Sequence, residues 1–180
     1  LKDVKRLAEK DTAFPVRAAA ITALVEVYHL NEKKIYETGW GAMSYEVNSE
    51  ALLAMSKFSS EKSLDRARNT LANNPRSEMN LSCWQVLAKN GSASDLTILV
   101  NSVLHAKAQW REYGLVYIGR YAIFHNQELS NAAISVLFDI HEKNIELRPR
   151  CLSVLNYLKD YWTEQTETTE DKLGILIRYM

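Results

Sequence analysis

A histidine followed at once by a glutamate opens the zinc-binding helix motif H-E-x-x-H, and the sequence offers this start at His141-Glu142-Lys143-Asn144-Ile145. The motif works because two imidazoles one helical turn apart face a single metal ion. Ile145 stands where the second imidazole must be. The segment therefore reads as the solvated end of a helix. The other histidines, His29, His105 and His125, also fall near expected helix ends, where the helix dipole favours a cation. Cys83 and Cys151 have no metal-site spacing and build no disulfide framework. Cys83 lies on an apolar helix face with no histidine close in sequence, so it reads as a buried, inert thiol. No Gly-rich phosphate loop or G-x-S-x-G elbow occurs. The expectation is a chain with no catalytic residue, no metal ligand and no cofactor of its own.

The aromatic residues are the remaining candidates. Trp84 adjoins Cys83 and is expected in the core, among the large anchors Trp162, Tyr113, Tyr117 and Tyr121. Trp40 sits between two glycines and Trp110 at a helix start, which makes both candidates for contact with a partner, as exposed tryptophans often are. The competing expectation is that both simply close the ends of short helices.

The elements that must position these residues repeat. Val16, Ala19, Ala20, Ala23, Leu24 and Val27 fall on one face of a helix. The pattern returns as Val47, Ala51, Ala54, Met55, Phe58, then as Met79, Cys83, Val86, Leu87. It continues as Tyr113, Val116, Tyr117, Tyr121, Phe124 and ends as Leu147, Cys151, Val154, Leu155, Leu158. Anchors near 16, 47, 79, 113 and 147 step by roughly 31 to 34 residues, a repeat signature. A second series interleaves: a short member around Ile35, then Leu64, Ala67, Leu71, then Leu96, Leu99, Val100, Val103. It goes on with Leu129, Ala132, Ala133, Val136, Leu137, and last Leu173, Leu176, Ile177, Met180. Two series with one step predict alternating A and B helices. The predicted fold is an all-α, right-handed α-solenoid of HEAT/armadillo type, with about five antiparallel helix pairs and no sheet.

The predicted core comprises Val47, Ala51, Ala54, Cys83, Val86, Val100, Ala133, Val136, Cys151 and Val154. Cys83 and Cys151 stand two repeats apart, too far for a disulfide. Pro15 and Pro149 mark first helical turns. Ser60, Ser77 and Ser94 are candidate N-caps, while Asn90-Gly91 and Asn73-Asn74-Pro75 mark helix ends. Leu1, Val4, Leu7 and Ala8 read as the end of a B helix whose A partner is absent. Residues 1–180 are thus expected to form a single helical-repeat domain, a fragment of a longer chain.

Composition narrows the function. The 22 basic and 22 acidic residues cancel, and no basic block exceeds Lys33-Lys34, which argues against nucleic acid as a partner. The longest apolar run, Ala18–Leu24, is broken by Thr22, so no membrane span is expected. With 47% hydrophobic and 24% charged residues, the composition is that of a soluble globular protein.

Val16-Arg17 followed by Ala20, Ala23 and Leu24, and Leu147-Arg148 followed by Cys151, Val154 and Leu155, resemble short HEAT repeats. Ser44-Tyr45-Glu46-Val47-Asn48 leading into Ala51-Leu52, together with the run from Trp110 through Arg148, resembles the C-terminal helical-repeat domain of bacterial M1-family zinc aminopeptidases. Gly41-Ala42-Met43 also starts like the G-A-M-E-N segment of that family, but its Glu and Asn are missing here. The resemblance implies a non-catalytic domain that packs on its own upstream catalytic domain, encloses the zinc site there and limits which peptides enter. The alternative is a stand-alone HEAT-type scaffold binding a protein or peptide. A HEAT-like enzyme subunit, a lyase or a DNA glycosylase, is the third reading, and neutral charge argues against the glycosylase.

Overall fold

Prolines and short polar side chains set where the helices begin. The computed structural model describes residues 1–74 and 78–164. Among them are ten helices and no strand. In chain order these are α1 (Lys2–Lys10), α2 (Phe14–Glu26), α3 (Lys33–Trp40), α4 (Tyr45–Phe58), α5 (Ser60–Asn73), α6 (Asn80–Asn90), α7 (Ala93–His105), α8 (Ala108–Phe124), α9 (Gln127–Lys143) and α10 (Arg148–Glu164). Pro15 and Pro149 each occupy the second position of their helix, where a missing N–H costs nothing. The Ser44 side chain accepts from the Val47 N–H at the start of α4, and Asn126 accepts from Leu129 N–H at the start of α9. Ahead of α7 the Asp95 carboxylate accepts from the backbone N–H of Ser92 at 2.7 Å, closing a capping box.

Two of the expected N-caps move. Ser60 is the first residue of α5, with Ser59 before it, and Ser94 lies inside α7, where Ser92 takes the cap. Serines are dense at both places, so composition alone does not choose among them. Ser77, Pro75 and the last expected helix around Leu173, Leu176, Ile177 and Met180 lie outside the described residues.

The chain divides into an N-terminal unit, Leu1–Val86, and a C-terminal unit from Leu87 onward. In the N-terminal unit α1 packs on α2 and α3, and α4 packs on α2, α3 and α5. In the C-terminal unit α8 packs on α7, α9 and α10, α10 on α9, and α7 on α9. Within each unit, alternate helices therefore touch as well as consecutive ones, a pattern compatible with a helical solenoid. Leu24, Val47, Ala51 and Leu52 have no exposed surface in the first unit, nor do Leu99, Leu115, Ile134 and Leu137 in the second. Each such aliphatic side chain larger than alanine contributes ~1.5–3 kcal/mol on leaving water.

The predicted core is mostly buried, with two corrections. Val47, Ala51, Ala54, Cys83, Val86, Ala133, Cys151 and Val154 are buried. Val100 and Val136 are only half-buried, because Leu99 with Val103, and Ile134 with Leu137, take the inward positions of their helices. Two helices also turn a different face inward from the one expected. In α2 the buried residues are Ala18, Ala20, Ile21, Leu24 and Val25, while Val16, Ala19 and Val27 are exposed. In α8 they are Gly114, Leu115, Ile118, Gly119, Tyr121 and Ala122, while Tyr113 and Phe124 are exposed. Both helices are apolar nearly all round, so periodicity does not fix their phase. Phe58, at the end of α4, is likewise exposed, as is Ala132 in α9.

Candidate functional site

The outward face of α8 is where the rotated phase matters. Building a Cβ on Gly119 would bring it within 2.5 Å of Val154 Cγ1, so α8 and α10 approach closely there. Gly119 and Val154 lie in a groove of about 360 Å³ between the two helices. Its other lining residues are Val116 and Arg120 from α8, and Arg150, Ser153 and Tyr157 from α10. The Arg120 guanidinium stands 5.3 Å from the Tyr117 ring centroid, within cation–π range. Arg150 Nε donates to the Glu112 carbonyl at 3.4 Å, a long contact. Neither arginine has a carboxylate partner among the described residues. Tyr113, Phe124 and Tyr157 are each more than half exposed. Burial raises the Tyr117 phenol pKa, partly offset by Arg120. The arrangement can hold a carboxylate by guanidinium hydrogen bonds and an apolar side chain against the rings.

The N-terminal unit has a groove of opposite charge between α2 and α4. It measures about 420 Å³ and is lined by Ala18, Ala19 and Thr22 of α2, Tyr45, Glu46, Ser49 and Glu50 of α4, and Glu78. Thr22 Oγ1 donates to Glu50 at 2.6 Å. No group of three or more His, Cys, Asp or Glu that could hold a metal ion occurs among the described residues.

Compared with known proteins, the chain matches no sequence family, no curated protein and no solved structure.

The two tryptophans singled out from the sequence lie in different units. Trp40 ends α3 and packs half-buried against the N-terminal core, with the Arg66 guanidinium 5.2 Å from its ring centroid. Trp110, in the first turn of α8, is half-buried beside Tyr113, with ring centroids 6.1 Å apart. Its indole N–H is buried and makes no hydrogen bond among the described residues. Trp84 is fully buried, as are both thiols, which are free.

His125, the residue after α8, is the histidine with the most structure around it. Its Nε2 lies 3.1 Å from the Ala88 carbonyl, so this nitrogen carries the proton. Its ring lies 4.0 Å from that of Tyr121, whose hydroxyl donates to the Ser92 carbonyl at 2.8 Å. Burial lowers the His125 pKa, against the Ala88 contact and nearby Asp95. These contacts tie the end of α8 to Ala88 of α6 and to the start of α7.

Sequence reasoning missed Arg120, Arg150 and Tyr157. The signal that could have found them is the spacing Tyr113, Tyr117, Arg120, Phe124 in α8, one stripe of a helix, matched by Arg150, Tyr157 and Tyr161 in α10.

Proposed function

We propose that the chain is a non-catalytic helical-repeat module, a right-handed HEAT/armadillo-like solenoid of about five antiparallel helix pairs, that binds polypeptide rather than transforming it. In the leading form of this reading it packs on the catalytic domain of a zinc metallo-aminopeptidase and shapes the access of peptides to that domain's zinc site. The observation that carries the repeat reading is one recurring contact. Arg17, near the start of α2, donates to the Ala8 carbonyl in α1. Arg111, near the start of α8, donates to the Ala106 carbonyl after α7. Arg148, the first residue of α10, donates to the His141 carbonyl at the end of α9. Each time a guanidinium meets carbonyls that a helix C-terminus leaves without partners. Arg17 and Arg148 are the arginines on which the HEAT likeness rests, and Ser44 of the aminopeptidase-like segment caps α4.

The residues preceding Leu1 in the intact protein test the aminopeptidase form. An H-E-x-x-H helix followed by a further glutamate is expected there. In that enzyme, removing the module should alter which peptide lengths are cleaved while small aminoacyl substrates are still turned over. An unchanged length preference sinks the gating role. The second reading, a stand-alone scaffold, is favoured by the arginine–tyrosine groove, and further helical repeats upstream would select it.

A further inference from the structure

We propose that the α8–α10 groove of the C-terminal unit is the docking site for an acidic segment of polypeptide, in which carboxylate side chains alternate with apolar ones. The inference rests on the reading of the chain as a polypeptide-binding module and names what this part of it binds. The groove is lined by two arginines and no acidic residue. Arg120 is engaged by a tyrosine face and Arg150 by a distant backbone carbonyl, so an incoming carboxylate breaks no ion pair. It gains charge-assisted hydrogen bonds, stronger than those between neutral groups. The same helices hold Tyr113, Phe124 and Tyr157 out in solvent, large rings that neither core uses. Rigid aromatic surface beside arginine is what interface hot spots are made of. Stacked rings and arginines also suit single-stranded nucleic acid. A phosphate backbone, however, needs a run of cations, and this lining supplies two in a chain of zero net charge. The acidic groove of the N-terminal unit would repel the same peptide, so binding should depend on the arginines.

Fluorescence anisotropy of the full 180-residue chain with a labelled peptide alternating glutamate and leucine tests this. The peptide is expected to bind, and an unlabelled lysine–leucine counterpart should fail to displace it. Arg120→Glu and Arg150→Glu should each weaken binding by about tenfold or more, with helical circular dichroism and melting unchanged. Arg120→Lys should keep part of the affinity. Absence of binding, or binding that survives the double charge reversal, overturns the assignment. So does tighter, arginine-dependent binding of oligothymidylate. If any of these occurs while the intact enzyme's length preference still depends on the module, the groove assignment falls and the gating reading stands.

Discussion

Burial makes an acid hold its proton, and the two cysteines show this most plainly. Cys83 is pushed up to about 12 by burial, against a hydrogen bond with Thr70, and Cys151 to about 11 by burial alone. Tyr121 is pushed to about 12 by burial and by the nearby Asp95 charge. In the unfolded chain a thiol ionises near its ordinary value of 9.0. Between that value and the folded one, the folded chain holds more protons than the unfolded chain, so stability falls as pH rises through the window. It is fully present below it. The urea midpoint is therefore expected to drop as pH rises from about 9 towards about 12, and Cys83→Ala should flatten the slope. A thiol-specific reagent should modify neither cysteine at neutral pH until the chain unfolds, and then modify both. Rapid reaction of the native chain would contradict the burial. That Cys83 and Trp84 are core was legible from neighbouring apolar residues. That Arg120, Arg150 and Tyr157 form a groove was not, because they lie on two helices whose distance no local pattern encodes.

A helix with apolar residues on every side tells its neighbours nothing about which side to take. α8 shows what decides. A Cβ on Gly114 would come 2.5 Å from Val103 Cγ2 and 2.6 Å from Val103 Cγ1, so the missing side chain lets α7 and α8 close together. Gly119 does the same toward α10. The two glycines select the inward face, and Tyr113, next to Gly114, goes outward. Gly114→Ala is expected to destabilise the chain by ~1–3 kcal/mol through overpacking. In the Val103→Ala background the same change should cost much less, since the obstructing methyls are gone. Equal costs in the two backgrounds, measured by urea unfolding, would remove Gly114 from this role. By contrast, α6 and α10 bury the faces their periodicity indicates, Cys83, Val86 and Leu87 (with Met79 just before the helix) in one and Cys151, Val154, Leu155 and Leu158 in the other. In α10, polar residues such as Asn156, Lys159 and Asp160 mark the opposite side. Phase is readable where one side is polar.

At the scale of the molecule, the expectation that the chain has no catalytic centre of its own is testable. Ile145 in place of a second imidazole, and the lack of any metal-competent cluster among the described residues, lead us to expect no stoichiometric zinc after dialysis and no aminoacyl hydrolysis. One zinc per chain by metal analysis would refute this. The sequence by itself determined that the chain is helical, roughly where each described helix lies, and that α3 is short, because breakers, caps and period-3.6 patterning are local properties. It also located most of the core wherever a helix has a distinct polar side. Only the tertiary structure decided the phase of α2 and α8, the choice of Ser59 and Ser92 over their neighbours, and the packing of Trp40 beneath Arg66. It alone joined Arg120 to Arg150. The helix phases and the groove depend on how closely two helices approach, and that distance is set by glycines and branched side chains on different helices.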